Sequence, residues 1–163
     1  MIDLAMLALL LVATPIGIWV AWSDVATMKI PNRAVLAAMA GFAVIGLAVL
    51  PFGEYLWRWL QFAIVLALGF GMTLARAIGA GDAKFGAAMA LFVAPEHAAQ
   101  FMMLLSAVVL AAFVTHRAAR AMPAVRGAFP TWESWNRQDF PMGLALGAAL
   151  IFYLALGAVI GPG

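Results

Sequence analysis

The chain is organised around one short stretch, Ile78-Gly79-Ala80-Gly81-Asp82-Ala83-Lys84, which places a carboxylate and a lysine in a sequence that is otherwise nearly all hydrocarbon. An ionisable side chain at membrane depth is costly, so such residues usually serve a function. Gly79 and Gly81 precede the acid, and glycine permits positive φ and close approach by another chain. Asp82 is therefore the first candidate for a functional residue.

The composition predicts a membrane protein. The 163 residues are 67% hydrophobic and 10% charged, with a mean hydropathy of +1.06, whereas a soluble domain has about 25% charged residues. We expect a single membrane-embedded domain over residues 1–163, in contact with the lipid bilayer. The net charge of +2 does not suggest binding to nucleic acid. The absence of cysteine excludes disulfides, thiolate zinc sites and a cysteine nucleophile.

Apolar runs predict an all-α polytopic fold with six transmembrane helices. Their approximate bounds are residues 4–22, 33–50, 58–77, 83–95, 97–116 and 141–160. Because Asp3 stands where a signal peptide would be basic, the first run is expected to remain as a helix. The fourth run, at ~20 Å, is shorter than a ~30 Å hydrocarbon core. Asp82 is therefore recessed below the surface, or this helix continues past Pro95.

The distribution of Lys and Arg predicts the orientation, because cytoplasmic loops carry an excess of both. With both termini outside, every basic residue except Arg58 lies in an inner loop. These are Lys29, Arg33, Arg76, Lys84, Arg117, Arg120, Arg126 and Arg137. It follows that Asp82 and a second acid, Asp24, lie on the cytoplasmic side.

Two carboxylates brought close together cannot both ionise readily, so such a pair shares a proton. One acid can then deprotonate a water molecule while the other protonates the carbonyl oxygen or leaving amine of a peptide. This chemistry is aspartyl proteolysis, and it requires no metal and no cofactor. Asp24 and Asp82, both expected at the cytoplasmic face, are the candidates for such a pair.

Structural roles for the same residues remain open on the sequence alone. Asp82 can be the N-cap of the fourth helix, and Asn32 the N-cap of the second. Pro31 disfavours helix at the residue before it. Asp24 can be a solvated residue at a helix end. Lys84 can be an inner-face anchor, or it can hold a carboxylate in its charged form.

The combination of two motifs resembles the type IV prepilin leader peptidases, which are GxGD-type aspartyl membrane peptidases. The first motif is Asp24 followed, after five residues, by Ile30-Pro31-Asn32. The second is Gly79-Ala80-Gly81-Asp82-Ala83-Lys84, which opens a short helix rich in small residues. A looser match is Pro141-Met142-Gly143 at the entry to the last helix.

The resemblance implies that Asp24 and Asp82 are the catalytic residues. Gly79, Gly81, Lys84, Pro31 and Asn32 would bind substrate or support the site. The substrate would be a prepilin or prepilin-like protein, with one hydrophobic helix and a cytoplasmic leader that the enzyme removes. The family acts without a metal cofactor, in the bacterial inner membrane.

The chain departs from the larger members of that family. It lacks their cytoplasmic insertion with paired cysteines, and those members also N-methylate the new N-terminus with S-adenosylmethionine. The compact form resembles the peptidases of Flp-type, tight-adherence pili. The alternative from a different class is a proton- or ion-coupled transporter subunit in which Asp82 is the protonation site.

Overall fold

The computed structural model describes residues 3–160, and it is 83% helix with no strand in that range. The predicted all-α class is therefore confirmed. The predicted domain also includes Met1, Ile2 and residues 161–163, which lie outside the described part. The helices are α1 Leu4–Thr27, α2 Asn32–Val49, α3 Phe52–Leu74, α4 Ala80–Ala90, α5 Ala98–Ala121, α6 Pro123–Ala128 and α7 Met142–Ile160, with 3-10 turns at Pro95–His97 and Glu133–Trp135.

The chain is a multi-pass membrane protein. Five helical segments are long and apolar enough to cross a bilayer: α1, α2, α3, Pro95–Ala121 and α7. The fourth predicted span corresponds to α4, which has 11 residues and so rises only ~16 Å. The count of six spans and the outer location of both termini stay predictions.

After α4 the chain continues through non-helical residues 91–94 to the 3-10 turn. Two side chains of α3 hydrogen-bond the carbonyl groups in this region. Arg58 donates to the carbonyl oxygen of Leu91 at 3.3 Å, and Gln61 donates to those of Ala90 at 3.2 Å and Val93 at 3.3 Å. Irregular backbone persists among apolar helices only where its polar groups are satisfied by the protein. These contacts therefore allow α4 to end early.

Arg58 lies within α3 and not at its start. It was expected at the outer start of the third helix, but α3 begins six residues earlier at Phe52, and Arg58 is only 1% exposed. Its guanidinium forms an ion pair with Glu54 over 2.5 Å. Because helix geometry brings residues four apart to the same face, Glu54 neutralises the charge that Arg58 brings into the core.

The α1–α7 pair forms the centre of the molecule, with α2 and α5 packed on it and α3 packed on α4. The two central helices approach closely at Gly17 and Gly147: a Cβ atom on Gly17 would lie 3.0 Å from the carbonyl oxygen of Gly147. Small residues at a crossing permit such contact between membrane helices. The close crossing brings the C-terminal end of α1 near the N-terminal end of α7.

Two helices continue past their predicted C-terminal ends. The first runs to Thr27, so Asp24 lies in its last turn and not in a following loop. The hydroxyl of Thr27 donates to the Ser23 carbonyl at 2.8 Å, so these polar residues are accommodated within the helix. The fifth helix runs to Ala121. Residues 117–140, which lie between the last two predicted runs, also contain α6 and the second 3-10 turn.

Candidate active site

A cavity of about 850 Å³ lies at the end of the molecule where α1 ends and α4 and α7 begin. Three segments line it: the end of α1 with the residues that follow, the connection between α3 and α4, and the approach to α7. Both Asp24 and Asp82 are among the lining residues. The structure therefore brings together the two acids that are 58 positions apart in the sequence.

Asp24 is buried, with 5% of its surface exposed. The main-chain N–H of Gly143, in the first turn of α7, donates to its Oδ2 atom over 2.6 Å. The bond spans 119 residues of sequence. It holds the carboxyl group in one orientation at the wall of the cavity.

Asp82 lies in the first turn of α4 and is half-buried. The N-cap of α4 is Gly79, so the alternative in which Asp82 caps the helix is wrong. Burial raises the pKa of Asp82 to about 6, the nearby Asp24 carboxylate adds to the rise, and a backbone hydrogen bond from Gly79 opposes it. A carboxyl group with this pKa can hold or release a proton near neutral pH.

The glycines of the second motif have a role other than positive φ. Gly79 has φ −70°, and Gly81 lies within α4, so neither uses the left-handed region. A Cβ atom on Gly79 would lie 2.8 Å from Oδ2 of Asp82, and one on Gly81 would lie 3.4 Å from Cβ of Ile30. Gly79 thus leaves space for the carboxyl group, and Gly81 packs against the first motif.

Lys84 and Asn32 connect the two motifs away from the cavity. The ammonium group of Lys84 donates to Oδ1 of Asn32 at 3.3 Å. The N-cap of α2 is Pro31, not Asn32, so the capping prediction for Asn32 is wrong. Pro31, Asn32 and Lys84 do not line the cavity, and within residues 3–160 neither Asp24 nor Asp82 forms an ion pair.

The sequence reasoning missed the third wall of the cavity. Arg137, Asp139 and Phe140 line it ahead of α7, and Met142 lines it at the first position of that helix. Arg137 pairs with Asp139 at 3.2 Å. The Pro141-Met142-Gly143 match was the signal that could have indicated this wall.

The connection between α3 and α4 contributes Arg76, which also lines the cavity. Its φ of 58° is uncommon for a residue with a side chain. Among residues 3–160, no three His, Cys, Asp or Glu side chains are grouped as metal ligands.

A sequence model of the type IV leader peptidase family matches residues 7–116. The chain belongs to this family. The matched part includes both acids and both motifs, and it ends within α5. The third wall of the cavity and Gly143 both lie beyond the matched part. Comparisons with curated proteins and with solved structures find no match.

Proposed function

We propose that this leader peptidase is a GxGD-type aspartyl endopeptidase of the bacterial inner membrane. It removes the cytoplasmic leader of type IV prepilins or prepilin-like proteins, which then enter a pilus or related assembly. The observation that carries the proposal is the single cavity lined by both Asp24 and Asp82. Family membership and the membrane-spanning helices support it.

The chemistry requires one protonated and one ionised acid. The ionised carboxylate takes a proton from a water molecule, whose oxygen then forms a bond to the carbonyl carbon of the substrate peptide. The protonated acid gives its proton to the leaving nitrogen as the C–N bond breaks, which yields a new carboxyl end and a new amine end. The raised pKa of Asp82 supports this sharing of one proton between two acids.

The connection between α3 and α4 offers a surface for the substrate. It is non-helical, and Arg76, Ala77, Ile78 and Gly79 line the cavity together with both acids. The leader would lie along this connection, with its scissile bond between the two acids.

The test uses the isosteric variants Asp24→Asn and Asp82→Asn with a prepilin-like substrate whose leader carries a tag. Each variant should insert normally and show no detectable cleavage. Asp139→Asn is the matched control, because Asp139 lines the same cavity but is exposed and paired with Arg137. It should cleave at close to the wild-type rate. Cleavage at the wild-type rate by either catalytic variant would refute the proposal.

A further inference from the structure

The contact between Gly143 and Asp24 joins two buried groups. Gly143 is the second residue of α7 and Asp24 lies in the last turn of α1, and both are buried. The first N–H groups of a helix have no carbonyl partner within the helix. Here Oδ2 of Asp24 satisfies one of them at 2.6 Å. The carboxyl group and the start of α7 are therefore held against each other.

The absence of a side chain at 143 is as important as its N–H group. A Cβ atom there would lie 2.8 Å from Cβ and 3.0 Å from Oδ2 of Asp24. The Cβ of Asp24 is attached to the backbone of α1, so it cannot rotate away as the end of a long side chain could. Alanine at 143 would therefore displace the carboxyl group or separate the two helices locally.

We propose that Gly143 is a positioning residue of the active site. Its N–H group orients the Asp24 carboxyl group, and its lack of a side chain leaves the space in which that group lies. The inference rests on the proposed function and extends it to a residue outside the matched family region. Gly143 acts through Asp24 and does not itself contact the substrate.

Helix α7 supplies two matched comparisons for an alanine substitution. A Cβ atom on Gly157 would make ordinary contact, at 3.4 Å, with the side chain of Met6, whereas one on Gly147 would overlap the backbone of Gly17. Since α7 is regular at all three positions, alanine is acceptable to the helix itself. Alanine at 143 therefore tests the position of Asp24, and alanine at 147 tests the packing of α7 on α1. Alanine at 157 is the control that should change neither.

The kinetic test compares Gly143→Ala, Gly147→Ala and Gly157→Ala in detergent-solubilised full-length protein. Gly143→Ala should lower kcat about 100-fold, the loss typical of a catalytic group displaced by about 1 Å, with KM changed little. Gly157→Ala should match the wild type, and Gly147→Ala should lower thermal stability. Wild-type kcat for Gly143→Ala, or an equal loss of kcat for Gly157→Ala, would overturn the inference.

A spectroscopic test does not require any glycine variant to fold. The chain contains a single Met-Gly pair, Met142–Gly143, so labelling Met with ¹³C at the carbonyl and Gly with ¹⁵N gives one amide signal for Gly143. That signal should move more in Asp24→Asn than in Asp82→Asn, because Oδ2 of Asp24 accepts the hydrogen bond from this N–H group. A signal that is unchanged in Asp24→Asn would overturn the inference.

The two proposals fail in different ways. If Asp24→Asn still cleaves at the wild-type rate, the aspartyl mechanism is wrong. If Asp24→Asn is inactive while Gly143→Ala retains wild-type kcat, the mechanism stands and the positioning role of Gly143 is wrong.

Discussion

Lys84 on α4 and Asn32 on α2 are joined by a hydrogen bond of 3.3 Å across 52 residues of sequence. This bond and the packing of Gly81 on Ile30 connect the two sequence motifs directly. Lys84 therefore forms no ion pair with Asp24 or Asp82 in the described part of the chain. It instead links α4, which carries Asp82, to the start of α2, which follows Asp24 in the chain.

We expect Lys84→Met and Asn32→Leu each to lower stability by only about 0.5–1.5 kcal/mol, because the bond is exposed to solvent and replaces one made with water. Cleavage should fall a few-fold in both variants. The double variant should be no worse than either single variant if the two side chains act through one contact. Thermal unfolding and kcat/KM measured across this cycle check the coupling, and fully additive losses would contradict it.

The two motif glycines should respond differently to alanine. Gly79→Ala puts a methyl group 2.8 Å from Oδ2 of Asp82, which should displace that carboxyl group and lower kcat about 100-fold. Gly81→Ala meets Ile30 at 3.4 Å, an ordinary contact, and should retain kcat within a few-fold. Steady-state cleavage assays of the two variants check this, and a reversed order would show that the assigned contacts are wrong.

The pH dependence of cleavage should report Asp82. Since the pKa of Asp82 is raised to about 6, the pair with one shared proton is lost as pH rises through this value. We expect kcat/KM to decline on the alkaline side with an apparent pKa of about 6, because kcat/KM reports groups of the free enzyme. Asp139→Asn should leave this alkaline decline unchanged. If kcat/KM does not decline between pH 5 and 8, or if Asp139→Asn moves the decline, the decline does not report Asp82.

The raised pKa of Asp82 also affects the stability of the fold. A carboxyl group whose folded-state pKa lies above its unfolded value stabilises the fold below the unfolded pKa, and this contribution is lost as pH rises through about 6. Asp82→Asn removes the charged form. The variant should therefore unfold at a higher temperature than the wild type at pH 8, with the difference shrinking toward pH 4. Thermal unfolding at both pH values measures this, and a pH-independent difference would count against it.

The buried Arg58 should be important for folding. Arg58→Met leaves the Leu91 carbonyl without its donor and leaves Glu54 without its cation. Breaking a fully buried pair costs roughly 3–5 kcal/mol. We expect a smaller loss, because the Glu54 side chain is 32% exposed. Glu54→Gln should cost less than Arg58→Met, since Arg58 keeps its bond to Leu91, and chemical denaturation of both variants tests this order.

The apolar helices could be predicted from the sequence alone. Hydropathy predicts the long apolar helices, and five of the six predicted runs correspond to segments able to cross a membrane. The predicted positions of the helix ends were less accurate. Ser23 and Thr27 suggested a loop, but their hydroxyl groups bond to main-chain carbonyls, and α1 continues to Thr27. Residue type indicates a preference, while tertiary contacts decide where the helix stops.

By itself the sequence determined the membrane class, the two acidic motifs and the family to which they belong, because hydropathy and motif spacing are properties of neighbouring residues. Only the tertiary structure decided that Arg58 lies in the core and that Gly143 holds Asp24. Those contacts depend on how α3 and α7 pack. The close α1–α7 crossing at Gly17 and Gly147 brings the main-chain N–H of Gly143 to the carboxylate of Asp24, 119 residues away in the sequence. A pattern among neighbouring residues does not predict such a contact.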